Sequence, residues 1–225
     1  MVKLEESKGK LGESLIFGNA QLGSLLSRVQ SAVIRSGIEL ETKIWEEIPE
    51  NLRTSLNELS KESYEPNEKP PIQVVFKPSK PDPDRPSKSV QADFLIVDNQ
   101  NRRFTLVEVK EGYVFDTKKS DGELTSLKSI TSWLAQEFAF RTSYYICAFN
   151  QKSKEEIVKG TKNRFSIEHV LTGREFCEKI GIDYDTFREK RKVDQVVNRA
   201  YFLKTLLDIP EIRAEILQIL NLDSE

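Results

Sequence analysis

The chain has 225 residues, enough to bury a core without disulfide or metal staples, and its 34 basic and 36 acidic side chains leave a net charge of −2. That balance excludes indiscriminate coating of a polyanion, so any nucleic-acid contact is local. The single histidine, His169, excludes an HExxH zinc site, a histidine-metal nuclease and any Ser-His-Asp triad that does not use it, which leaves carboxylates and lysines for catalysis.

The N-terminal "MVKLEESKGKLGESLIFGN" has no apolar h-region, and no stretch approaches the roughly 18 apolar residues of a membrane span. Cys147 and Cys177 lie apart in unlike contexts and suggest neither a disulfide framework nor a thiolate metal site. The expectation is a cytoplasmic, soluble protein with no membrane partner. Residues 20–49 carry apolar residues at helical spacing and predict a long helix, with a break near Ser36-Gly37 and an end at Pro49. A short helical pattern and a proline-punctuated connection follow over 50–71, then a strand, "IQVVF", at 72–76. "KPSKPDPDRPSKS", 77–89, has too many prolines for a sheet interior and reads as a solvated, protruding loop that includes Lys77, Lys80, Arg85 and Lys88.

"VQADFLIVD" and "RFTLVEVK" are strand-like runs joined by Asn-Gln-Asn-Arg, which is hairpin chemistry. The pattern at 122–139 predicts a helix with Leu124, Leu127, Ile130, Leu134 and Phe138 on one face; "SYYICAF" at 143–149 predicts a buried strand and "FSIEHVL" at 165–171 a weaker one. From 173 onward the patterns are helical, the last helix opening on Asp208, Pro210 and Glu211 as a capping box. Within "REKRK", 188–192, the default is an exposed face, with Phe187, Val193, Val197 and Phe202 on the inner one. Trp45, Trp133, Tyr144 and Tyr145 read as core, and His169 as a hydrogen-bonded structural histidine. These elements predict an α/β fold, a mixed central β-sheet flanked by helices, with a core over 1–172 and a helical C-terminal region over 173–225 packed on the core or at a dimer interface.

In "FTLVEVKEG" strand alternation puts Phe104, Leu106, Glu108 and Lys110 on one face. Isolated, each charge would cost several kcal/mol to desolvate, so the carboxylate asks for a partner such as a divalent cation. The hairpin brings Asp93, at the head of the preceding run, beside Glu108. Two converging carboxylates form a hard-oxygen site suited to Mg²⁺, and Lys110, one pleat on, is placed to orient or deprotonate an attacking water and to balance charge on a phosphate. On the long helix, with Val33 taken as the core-facing zero, Glu41 falls at about 80° among Ile44, Ile48 and Ile34, whereas Glu39 and Glu46 fall on the solvent side. Glu41 either joins the metal site or pairs with Lys110.

Asp93, the "EVK" of Glu108-Val109-Lys110 and Glu41 in "GIELE" resemble the PD-(D/E)xK nuclease superfamily, over roughly residues 30–150, in the order helix, strand, strand, strand, helix, strand. Ala92 stands where many members have proline, and two cysteines are too few for the superfamily's iron-sulfur branch. The length and the lack of a helicase or methyltransferase segment look most like a type II restriction endonuclease. That resemblance implies a restriction-endonuclease-like fold and cleavage of double-stranded DNA at a short specific sequence. It also implies a homodimer, Mg²⁺ with Mn²⁺ as a substitute, 5′-phosphate products and a cognate DNA methyltransferase. It implies metal ligation by Asp93, Glu108, the carbonyl of Val109 and Glu41, with Lys110 acting on the water. Basic residues for DNA are sought at Lys118 and Lys119 before the helix, and at Lys152, Lys154, Lys159, Lys162 and Arg164 after the strand that ends at Phe149, where relatives often carry base-reading residues. A structure-selective repair or junction-resolving nuclease, and a DNA-binding protein that has lost the chemistry, are the alternatives.

Overall fold

The computed structural model describes residues 4, 17–61, 64–80, 90–113, 115 and 117–222. In chain order the elements are α1 (Ala20–Glu47), β1 (Arg53–Thr54), α2 (Leu56–Leu59), β2 (Ile72–Phe76), β3 (Ser79–Lys80), β4 (Val90–Gln91), β5 (Phe94–Asp98), β6 (Arg103–Lys110), α3 (Thr117–Glu137), β7 (Arg141–Ala148), α4 (Lys154–Gly160), β8 (Val170–Thr172), α5 (Gly173–Lys179), α6 (Tyr184–Leu207) and α7 (Pro210–Leu222). The chain divides into two compact units, residues 41–184 and residues 1–40 with 185–225. The division lies inside α1, and α5 belongs with the sheet rather than with the later helices.

The unit of residues 41–184 is built on a six-stranded sheet in the order β1-β2-β5-β6-β7-β8. β5 and β6 form the expected antiparallel hairpin, with Phe94 opposite Val107 and Leu95 opposite Leu106, whereas β6 and β7 are parallel, with Lys110 level with Ala148. The sheet is therefore mixed, as the sequence led one to expect. Its turn is held by side chains: Asp98 accepts the Asn101 N–H at 2.9 Å, and buried Asn99 donates to the Pro70 carbonyl at 2.7 Å.

Alternation along the strands serves two covered faces. Leu95, Val97, Phe104, Leu106, Ile146 and Val170 pack against Leu127, Ile130 and Leu134 of α3 and Ile157 of α4. On the other side Trp45 stacks on Phe76, Phe76 meets Phe94, and Phe94 meets Phe176 of α5, each pair with ring centroids 5.4 Å apart. Each fully buried side chain of this size contributes roughly 1.5–3 kcal/mol of burial, which is why the strand registers are fixed. At Gly173, the first residue of α5, a Cβ would collide with the Phe149 carbonyl oxygen and the Tyr184 ring, so β7 and α5 approach as only glycine permits. Tyr184 donates its hydroxyl to the same carbonyl at 3.0 Å.

Several local expectations are corrected. α1 continues through Ser36-Gly37 without a break, because a lone glycine costs a helix only about 1 kcal/mol. Val33 and Ile34 are exposed rather than core-facing; buried Leu40, Ile44 and Ile48 set the inner face of the helix beyond them. Glu39 is half-buried rather than on the solvent side, whereas Glu46 is exposed as expected. "VQADFLIVD" is two strands interrupted at Ala92-Asp93, since β4 pairs with β3 of the proline-rich segment and only β5 joins the main sheet. "FSIEHVL" becomes a short 3-10 turn followed by β8. Within "REKRK", Arg191 is buried, and it is Val193 and Val197 that face solvent. Residues 81–89, with Arg85 and Lys88, lie outside the described residues, as does the side chain of Lys119.

His169 accords with a structural role: its Nδ1 is 3.0 Å from the Tyr144 carbonyl and its ring stacks on the Tyr144 ring. Cys147 and Cys177 are buried free thiols, and burial pushes both thiols up. Among the described residues no helix is long and apolar enough to cross a membrane.

Candidate active site

β2 pairs with β5 as far as Phe76 opposite Phe94, and β5 pairs with β6 as far as Phe94 opposite Val107. One residue beyond these ladders the chain supplies Lys77, Asp93 and Glu108 side by side. The backbone has left the sheet at Asp93, so its carboxylate completes the edge: the Val109 N–H donates to Asp93 Oδ2 at 2.7 Å. Lys77 replaces the missing rung from the other side, its N–H donating to the Asp93 carbonyl at 2.8 Å. Asp93 is only 8% exposed.

Lys110 is held between two acids. Its ammonium lies 2.6 Å from Glu108 Oε1 and 2.8 Å from Glu123 Oε1 of α3. Glu41 is not paired with Lys110; its Oε2 faces the ammonium of Lys77 at 2.8 Å. That contact is one of charge more than of alignment, because buried Glu41 Oε2 lacks a hydrogen bond of good geometry.

The electrostatics describe an excess of buried negative charge. Burial pushes the Asp93 carboxyl well up, Glu41 adds to the rise, and the Val109 N–H, Lys110 and Lys77 offset only part of it. Burial also raises Glu108, reinforced by Asp93 and Glu123 and opposed by Lys110. Burial works against the charge on Lys110, but Glu108 and Glu123 outweigh it and raise the amine. Lys77 follows the same pattern, its desolvation overcome by Glu41, Asp93 and Glu108. Among the described residues no three acidic, imidazole or thiol groups converge on one point as the side chains stand. Lys77 pairs with Glu41, and Lys110 with Glu108 and Glu123.

This donor set fits a hard divalent cation: oxygen ligands only, two of them raised first by burial and then by neighbouring carboxylates, and a third buried oxygen without an aligned donor. Asp93, Glu108 and Glu41 are the residues that would hold it.

Of the basic residues, Lys154 is committed to Glu175 at 2.9 Å and Arg164 to Asp121 at 3.2 Å, both at partly exposed positions. Lys118, Lys152, Lys159 and Lys162 are exposed. The segment carrying residues 152–164 leaves the sheet beside Lys110, because the parallel strands β6 and β7 end together. Asn150 and Gln151 tie it to the outgoing chain through the Glu111 carbonyl at 3.0 Å and the Tyr113 carbonyl at 2.6 Å.

No protein-family model matches the chain, nor does any solved structure. The chain is 37% identical over 217 residues to Type II restriction enzyme HhaII of Haemophilus parahaemolyticus, a match that covers 95% of this chain and 95% of that protein. The chain belongs to the type II restriction endonucleases. It is a site-specific deoxyribonuclease, and endonucleases of this kind generally use a divalent metal ion. Two residues that pair with these acids and amines, Lys77 and Glu123, carry no motif in the sequence. Lys77 stands in a proline-rich segment that reads as a solvated loop, yet it follows Phe76 directly and so falls opposite Asp93. Glu123 precedes Leu127 by four residues, on the buried face of α3, a spacing that was available to point it inward.

Proposed function

We propose that this endonuclease cleaves double-stranded DNA at a short specific sequence in a Mg²⁺-dependent reaction, with Mn²⁺ as a substitute, and that Asp93, Glu108 and Lys110 carry the chemistry. The supporting observation is the junction at the end of the hairpin: buried Asp93 bound to the Val109 N–H, with Lys110 the next residue, held between Glu108 and Glu123. Asp93, Glu108, the Val109 carbonyl and Glu41 hold the ion. When bound, it supplies Lewis acidity toward the scissile phosphate and lowers the pKa of a coordinated water.

Lys110 orients the attacking water and faces the charge that grows on the phosphate, while Glu123 fixes where its ammonium lies. Water oxygen bonds to phosphorus, the bond to the 3′ oxygen breaks, and the products are a 5′-phosphate and a 3′-hydroxyl. Lys118, Lys119, Lys152, Lys159 and Lys162 contact DNA beside the site, and Lys154 and Arg164 join them by exchanging partly exposed acid partners for phosphates, an exchange favoured because such surface pairs contribute only about 0–1 kcal/mol.

The enzyme works in the cytoplasm as a homodimer, alongside a DNA methyltransferase that protects the same sequence in the host. The catalytic region lies within residues 1–172. The helical region of residues 173–225 supplies the dimer contact, and the apolar row of Val193, Val196, Leu203 and Leu207, all about half exposed or more on α6 at heptad spacing, suits a second copy. Incubating plasmid DNA with the protein and Mg²⁺ tests the reading. Discrete fragments with 5′-phosphate ends are expected. Cutting confined to branched DNA would instead support a junction-resolving enzyme.

A further inference from the structure

Lys77 is unusual in backbone as well as in surroundings. Its φ is 49°, a left-handed conformation that a lysine adopts at a cost of about 1–3 kcal/mol. The strain has a visible result. The Lys77 N–H stays on the Asp93 carbonyl while the side chain reaches Glu41, with its ammonium 5.5 Å from the centre of the Phe76 ring.

Lys77 and Lys110 differ in how they are held. Lys110 sits between two carboxylates that fix it from both sides. Lys77 has one carboxylate partner, Glu41, on a contact without good hydrogen-bond geometry, and its side chain is 34% exposed. A flexible four-carbon stem with an outlet to water can withdraw its ammonium at little cost. Glu41, 13% exposed, has no such outlet and stays behind as a buried charge. Glu41 also bears directly on Asp93, being the leading charge that raises it.

We propose that Lys77 is a built-in counter-ion, a positioning residue whose ammonium neutralises Glu41 while the centre lacks a divalent cation and surrenders that carboxylate when the cation binds. This rests on the reading of Asp93 and Glu108 as the metal-binding pair. The ammonium and the cation compete for one carboxylate, so Lys77 lowers the affinity of the DNA-free protein for divalent ions. It also limits self-repulsion among Glu41, Asp93 and Glu108 when no ion is present.

The test is titration calorimetry of the full-length protein with Mn²⁺, without DNA and at one pH, on wild type, D93N, K77M, K77N, K77R, E41Q and the K77M/E41Q double variant. Thermal unfolding without metal verifies the fold. K77N keeps the test available if K77M folds poorly, because asparagine tolerates the left-handed backbone. K77M and K77N should bind Mn²⁺ about fivefold or more tightly than wild type, and K77R should stay near wild type. In the E41Q background the lysine substitution should have no effect, since the carboxylate under competition is gone. Unchanged or weaker Mn²⁺ binding by K77M and K77N, with wild-type binding intact and abolished by D93N, overturns the counter-ion and leaves the metal centre standing. A wild-type protein that binds no Mn²⁺ overturns both.

Discussion

The carboxylate of Asp93 accepts the backbone N–H of Val109 at 2.7 Å, so one residue both closes the edge of the sheet and contributes charge to the site. The two duties are separable by substitution. D93N keeps an oxygen for the Val109 N–H and removes the charge; D93A removes both. Cleavage should be lost in each. In thermal unfolding without metal, D93N should match or exceed wild type, because mutual repulsion with Glu41 and Glu108 is relieved. D93A should fall below D93N by roughly 1–3 kcal/mol for the buried donor left unpaired. Equal stability of the two variants would show that the hydrogen bond matters little.

Glu123 should act through Lys110. E123Q is expected to slow cleavage roughly tenfold with little change in DNA affinity, because it removes one of the two acids that fix the ammonium. Fewer negative neighbours favour the ammonium less, so the alkaline limb of the pH–rate profile should move to lower pH. An unaltered rate and profile would leave Glu123 with a packing role only.

The raised carboxyls make a prediction about stability against pH. Asp93 and Glu108 titrate higher in the folded protein than in the unfolded chain, so in that window the folded state binds more protons. Stability of the metal-free protein should therefore decline as pH rises from the ordinary carboxylate range, about 4, through neutrality. Mn²⁺ should reverse the trend, because binding releases those protons and is stronger at higher pH. Melting temperatures measured from pH 5 to 8 with EDTA and with Mn²⁺ check both signs.

Gly173 is a test of packing without chemistry. G173A places a methyl group against the Phe149 carbonyl and the Tyr184 ring, and should destabilise the protein by about 1–3 kcal/mol in denaturant unfolding. A neutral result would mean that β7 and α5 separate more easily than their contacts imply.

Much of this architecture could be read in advance because its causes are local. The bounds of β6 coincide with the run "RFTLVEVK", which reads as a strand from its own residues. Asp93, Glu108 and Lys110 were legible because a hairpin turn and strand alternation suffice to bring them together. Glu41 was found by a helical wheel whose zero, Val33, proved to be exposed; Ile44 and Ile48, its neighbours on the same wheel, are the buried residues that keep it inward. What the chain did not disclose locally was partnership. Lys77 pairs with Glu41 across 36 positions of sequence through a left-handed residue, and no periodic pattern encodes that. Glu123 lies in no motif, and only its spacing to Leu127 and Ile130 on α3 points it to the sheet.

In the proposed mechanism Lys110 serves the chemical step rather than DNA binding. The direct measurement is the single-turnover cleavage rate of K110A and wild type on one specific duplex in Mg²⁺, with DNA affinity measured in Ca²⁺. K110A should lose at least about 10²–10³-fold in rate with affinity within a few-fold of wild type. Cleavage by K110A at the wild-type rate would contradict it.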